Sequence, residues 1–269
     1  MSSQAFGDVD FTELNIEDSP NLKYISRDTF SSIATIQKLR ISGATFDSDR
    51  LSETFEAINR LNFLRSLYIW SCDMDFIPEY SFSNRQPYLK EIVLYGNNIR
   101  AIGSYAFANL PNMEQLRIDG NNIILIDKYA FATNYSTITP LHVTLASNNL
   151  KEMSFAFMSL SGAQRPLHLS LAENGGCFWD IQYLDENIFA PFLDKSANRL
   201  YIEPECQLNC DDCRMKWLTE IPKHAQRRIT MLPESHYRTN NSINDGYVPC
   251  KGGANLFDIY EYFDWDNCN

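Results

Sequence analysis

Cys210-Asp211-Asp212-Cys213 has the C-x-x-C spacing that supports thiol–disulfide exchange, or half of a zinc site. The redox chemistry needs a thioredoxin-like strand and helix around it, and the flanking residues supply none. The nearest further thiol is Cys206, and Cys250 and Cys268 are too widely spaced for a tidy ligand set. His142 and His168 fall at equivalent positions of two successive chain segments, so a shared metal or a pH-sensitive contact is conceivable. Their neighbours in that row, Gln115 and Arg199, offer no carboxylate or thiolate, so two solvent-facing histidines are expected. The acidic tail (Asp258, Glu261, Asp264, Asp266) lacks the turn glycine and terminal bidentate glutamate of a calcium loop. There is no nucleophile elbow, phosphate loop or His-Glu-x-x-His. No catalytic residue, metal or cofactor is assigned, and the chain is expected not to be an enzyme.

What positions these residues is an internal repeat. Leu89 to Ile99 and Met113 to Ile123 both follow L-x-x-L-x-L-x-x-N-x-L, a leucine-rich spacing. Equivalents of the asparagine are Ser19, Ala44, Cys72, Asn97, Asn121, Asn148, Asn174 and, more loosely, Glu205. A phenylalanine follows most of them at a near-constant offset: Phe30, Phe55, Phe82, Phe107, Phe131 and Phe157. The apolar positions before each pivot form the buried side of a short strand that no single repeat can cover. The pivot amide satisfies backbone groups where the chain leaves the strand. Ser19 and Cys72 do this weakly and Ala44 not at all, so the first three repeats are expected to be less regular. The expected fold is α/β: a solenoid with a concave parallel sheet, a phenylalanine spine behind it and a disulfide-rich C-terminal cap. Residues 1–10 read as a short lead with the N-terminal cap absent or minimal, 11–176 as seven repeats, and 177–269 as a terminal strand and cap.

With the pivots aligned, the outward side chains fall into columns. One runs Asn15, Arg40, Tyr68, Val93, Arg117, Thr144, Ser170, Tyr201, and the next Glu17, Ser42, Trp70, Tyr95, Asp119, Ala146. Tyr68, Trp70, Val93 and Tyr95 therefore cluster, flanked by Arg40, Arg117 and Asp119. Exposed aromatics beside arginine have the composition of a protein-binding hot spot. A third column, Glu13, Lys38, Ser66, Glu91, mixes charge signs.

Composition narrows the partners. The formal net charge of −11 over 269 residues disfavours nucleic acid and anionic membrane, and no apolar run is long enough to span a bilayer. A protein partner is expected, with a glycan as the alternative. Six of the seven cysteines (Cys177, Cys206, Cys210, Cys213, Cys250, Cys268) lie after the seventh pivot, which reads as a stapled cap with fifteen possible pairings. Cys72 sits at a pivot as a buried thiol. The sequons at Asn134 and Asn240 point to an extracellular, glycosylated chain. Ser2 to Asp10 hold no apolar leader, so the start reads as either truncated or processed.

Cys210 to Leu218 resembles the C-x-C-x-x-x-W-L opening of the cysteine-rich C-terminal flank of extracellular leucine-rich-repeat proteins, with one extra Asp between the cysteines. That resemblance implies Cys210–Cys250 and Cys213–Cys268, leaving Cys177–Cys206, and a short helix at Trp217-Leu218 over the last repeat. Cys250 to Asp258 and Phe263 to Cys268 resemble the closing segment of arthropod secreted repeat proteins labelled as oplophorus-luciferin 2-monooxygenase non-catalytic subunit-like. This resemblance implies a stabilising subunit of a secreted enzyme. Recognition of glycans or microbial surfaces in innate defence is a further expectation.

Overall fold

The computed structural model describes residues 11–30, 35–171, 183–202, 208–231, 250 and 255. Its strands are β1 (Glu13–Ile16), β2 (Lys38–Ser42), β3 (Ser66–Trp70), β4 (Phe76–Ile77), β5 (Glu91–Tyr95), β6 (Ala101–Ile102), β7 (Gln115–Arg117), β8 (Leu125–Ile126), β9 (Leu141–Thr144), β10 (Leu167–Ser170), β11 (Arg199–Ile202) and β12 (Ile229–Met231). Nine of them form one parallel sheet in the order β1-β2-β3-β5-β7-β9-β10-β11-β12. The two-residue strands β4, β6 and β8 form a second sheet on the flank.

Register follows from hydrophobicity. Leu14, Leu39, Leu67, Ile92, Leu116, Val143, Leu169, Leu200 and Ile229 stand opposite one another in an unbroken apolar row. From Leu39 onward each is essentially buried. A slip of one residue would turn this row to solvent, so burial alone fixes the alignment.

The pivot asparagines tie one repeat to the next. Asn97 Oδ1 accepts from Cys72 N at 3.0 Å and its Nδ2 donates to Ile69 O at 2.8 Å. Asn121 Oδ1 accepts from Asn97 N at 2.8 Å and Ile99 N at 3.2 Å, while Nδ2 donates to Leu94 O at 2.7 Å. Asn148 Nδ2 donates back to Ile118 O at 2.8 Å. Among the described residues, the one before each of the first six pivots has positive φ: Asp18, Gly43, Ser71, Gly96, Gly120 and Ser147. Glycine at three of these six meets that requirement without steric cost.

The expected irregularity of the first three repeats does not fall on their strands, since β2 and β3 are as long as β5. Even at pivot 44, where no side chain can help, Asp73 N donates to Ala44 O at 2.8 Å. The difference lies on the convex side, where α1 (Leu51–Ile58) forms an amphipathic helix burying Leu51, Phe55, Ala57 and Ile58.

Phe30, Phe55, Phe82, Phe107 and Phe131 form the buried spine, with ring centroids 5.8, 6.0 and 6.3 Å apart from Phe55 to Phe131. Phe157 does not belong to it, being 68 % exposed. A 3-10 turn at Glu152–Ser154 lengthens that repeat. Tyr129 N therefore bonds Met158 O, where Tyr105 N bonds Tyr129 O one repeat earlier. That alignment gives the spine position to the buried Leu160. Phe155 turns inward instead, bridging to Ile126 and meeting Phe189 edge-to-face at 5.4 Å.

A strand stands at each of the eight positions expected from the pivots, and among the described residues the sheet holds a ninth, β12, that the repeat pattern does not announce. Beyond β10 the convex layer becomes helical. α2 (Glu186–Asp194) is capped by Asp185, whose side chain accepts from Asn187 N, and buries Ile188, Phe189, Phe192 and Leu193. α3 (Trp217–Glu220) and α4 (Lys223–Gln226) pack against it. Trp217 is buried and donates Nε1–H to Leu184 O at 2.9 Å, which ties this short helix to the segment leading into α2.

Candidate functional site

The columns read from the pivots are realised by strand register. Arg40, Tyr68, Val93 and Arg117 stand in one row, and Trp70 lies directly opposite Tyr95. Parallel neighbours are roughly 4.8 Å apart, so the four apolar side chains make one patch on β3 and β5. Tyr95 is 53 % exposed, while Tyr68, Trp70 and Val93 are half-buried. The Tyr95 ring lies along Gly120, where an added Cβ would stand 2.9 Å from ring carbon Cε2. A glycine is thus what lets the ring rest there.

The charged neighbours are already partnered. Arg40 pairs with Glu13, donates to Asn15 Oδ1 at 3.3 Å, and places its guanidinium 5.5 Å from the Tyr68 ring. Lys38 Nζ lies 5.4 Å from the same ring, so two cations flank one aromatic face. Tyr68 Oη donates to Glu91 Oε2, and burial followed by that hydrogen bond pushes the phenol pKa up. Arg117 Nε donates to Asp119 Oδ2 at 3.1 Å. Asp119 itself is only 4 % exposed, and its Oδ1 accepts from Ala146 N at 3.1 Å. It is an internal bracket that holds Arg117, not an outward polar contact.

The histidines are not simple solvent-facing groups. His142 and His168 stand opposite in β9 and β10, their rings edge-to-face at 4.8 Å. Both are half-buried, and His168 Nδ1 is shielded without a hydrogen-bond partner. Burial, then His142 and Arg199, lowers the His168 pKa to about 4; burial and Arg165 lower that of His142. Among the described residues no group of three or more histidine, cysteine or acidic side chains is placed to hold a metal.

Cys210 is joined to Cys250, the pair the cap resemblance implies, and Cys213 is also disulfide-bonded. The two cysteines of the C-x-x-C are therefore not bonded to each other, which removes both the redox and the zinc readings. Asp212 instead caps the turn at Cys213–Met215 by accepting from Arg214 N. Cys177, Cys206, Cys268 and Asn240 lie outside the described residues. Cys72 is buried, its thiol pKa raised by desolvation, and it donates to Trp70 O and Ile41 O as a weak pivot. Asn134 is exposed and donates to Asn109 Oδ1 at 2.8 Å. Among the described residues no helix is long and apolar enough to cross a membrane.

Two features escaped the sequence reading. Tyr80, Tyr105 and Tyr129 stack at 5.2 Å per step, each with positive φ; the Tyr-x-Phe spacing was the available signal. The second asparagine of each Asn-Asn pair forms an outer ladder, described below.

Comparison with known proteins finds a match to the family described as leucine rich repeat over residues 63–123. No curated protein matches the chain. Among solved structures, human 5T4 (Wnt-activated inhibitory factor 1, trophoblast glycoprotein) is similar at 16% identity and a TM-score of 0.40, covering 83% of this chain and 90% of that chain. A chain of the octameric complex of Latrophilin 3, Unc5D and FLRT2, the last marked as the leucine-rich-repeat component, is similar at 17% identity and a TM-score of 0.36, covering 81% and 86%. By its repeat spacing, its strand register and the matched segment, the chain folds as a leucine-rich-repeat solenoid with a concave parallel sheet and a disulfide near its C-terminus.

Proposed function

We propose that this chain is a secreted, non-enzymatic binding protein that engages a protein partner through the concave face. The observation that carries the reading is the pair Trp70 and Tyr95, standing opposite each other on adjacent strands of a rigid sheet with Tyr68 and Val93 beside them. Large aromatics on ordered backbone lose little entropy on binding, and an apolar centre with a charged rim is the usual anatomy of an energetic hot spot. Arg40, Tyr68 and Arg117 are held by intramolecular partners, so the rim is preorganised. The Cys210–Cys250 disulfide favours an oxidising compartment. A glycan on the exposed Asn134 would lie away from the strands that carry the patch.

The test compares capture from native secretions by the wild-type chain and by a Trp70→Ala/Tyr95→Ala variant shown to be folded. A stoichiometric partner retained by the first and lost by the second supports the reading, and an enzyme as that partner makes the chain its non-catalytic subunit. Equal retention by both refutes the concave site.

A further inference from the structure

A polar groove lies where the chain passes from the nine-stranded sheet to the three-stranded one, outside the aromatic patch. Its volume is about 460 Å³. One wall is a row made of the residue after each pivot: Asp73, Asn98, Asn122 and Asn149. Asn98 Nδ2 donates to Asp73 Oδ1 at 3.3 Å, Asn122 to Asn98 Oδ1 at 3.3 Å, and Asn149 to Asn122 Oδ1 at 2.9 Å. All four residues are exposed. A carboxamide has two N–H donors and two acceptor lone pairs, and an inner rung spends one of each on its neighbours. One donor and one acceptor per rung stay available, all oriented alike by the ladder.

The rest of the lining comes from the position two residues further on: Asp75, Arg100 and Ile124. Asp75 Oδ2 accepts from Ser48 Oγ at 2.8 Å, whereas its Oδ1 is shielded and unpartnered. The Arg100 guanidinium forms no ion pair with another described residue. Ile124 is 48 % exposed and gives an apolar step.

Two carboxylates against one guanidinium oppose a polyanion. The rungs repeat at the strand spacing, roughly 4.8 Å, while an extended peptide offers same-side backbone groups only every second residue, roughly 6.6 Å. In a β-1,4-linked pyranose chain successive rings are flipped, so like hydroxyls recur on one side every second ring, close to two rung steps and out of step with the peptide spacing. Its hydroxyls both donate and accept, and its rings present C–H faces to an apolar side chain. We propose that this groove binds a neutral β-1,4-linked saccharide, with the amide ladder and Arg100 reading ring hydroxyls and Ile124 meeting a ring face. The site is independent of the concave patch.

The test titrates the full chain with cellohexaose and with N-acetylchitohexaose by calorimetry, using α-linked maltohexaose as control. Binding of either β-linked probe in preference to maltohexaose is expected. Asn98→Ala/Asn122→Ala and Arg100→Ala, all exposed changes checked for native circular dichroism, should each weaken it about tenfold or more. Trp70→Ala/Tyr95→Ala should leave it unchanged. No binding of either β-linked probe at millimolar concentration, equal binding of maltohexaose, affinity untouched by the ladder variants, or occupation of the groove by an extended peptide instead overturns the assignment.

Discussion

Asn121→Ala probes the element on which the whole solenoid depends. The side chain is 5 % exposed and holds two backbone donors of the preceding repeat, Asn97 N at 2.8 Å and Ile99 N at 3.2 Å. It also donates to Leu94 O at 2.7 Å and to Asp119 O at 3.0 Å. Alanine strands both donors in a site closed by Ile99, Leu94 and Ile118, all buried. Each unsatisfied buried donor costs about 1–3 kcal/mol, so the variant should lose about 3–5 kcal/mol after some relaxation. Asn121→Asp keeps the acceptor but turns a carboxylate toward carbonyl oxygens, and should be at least as damaging. Asn122→Ala removes only an exposed amide and should stay within about 0.5 kcal/mol. Urea denaturation gives the difference, and hydrogen exchange locates it: the Asn97 and Ile99 amides should lose protection before those of β10. A loss below about 1 kcal/mol for Asn121→Ala, or unchanged exchange at those two amides, would refute the ladder as a source of stability.

Other perturbations separate the remaining elements. The folded pKa of His168, about 4, lies below its ordinary 6.5, so the unfolded chain takes up the proton first as pH falls. Stability should therefore decline from about pH 6.5 to 4 and level off below, by about 1–2 kcal/mol once partial exposure is discounted; His168→Gln should flatten that slope in urea titrations, and an unchanged slope sinks the assignment. Gly120→Ala meets both positive φ and the Tyr95 ring, whereas Gly96→Ala meets positive φ with no atom nearer than 4.0 Å. The first should cost about 1 kcal/mol more than the second and alter Tyr95 fluorescence in a Tyr95-reporting background; equal costs would show that the ring contact is slack. Cys210→Ser/Cys250→Ser opens a bridge of sequence separation 40, a loss of about 4 kcal/mol in the chain-entropy treatment. Proteolysis should then begin in the cap while the middle repeats persist, and uniform cleavage along the chain would contradict a local role.

Most of the repeat architecture was legible because two demands recur at fixed spacing. An apolar row must be shared between neighbouring repeats, and each strand exit needs an amide or glycine, as at Gly96-Asn97 and Gly120-Asn121. The candidate concave patch was legible for the same reason: once the pivots are aligned, strand alternation dictates that Tyr68 and Trp70 share a face with Val93 and Tyr95. Phe157 shows the limit. Its offset from Asn148 resembles that of the spine, but a 3-10 turn upstream shifts the frame and Leu160, three residues on, takes the place.

The sequence by itself determined the period, the buried row and the outward columns, because each depends on residue type at a local spacing. Only the tertiary structure decided what the polar groups do. Asp119 turned inward to hold Ala146 N, Arg40 was neutralised by Glu13, the histidines met edge-to-face, and β12 joined the sheet from a distant segment. Those outcomes depend on distances between side chains of different repeats and on exclusion of water around them, and neither is encoded in a local pattern.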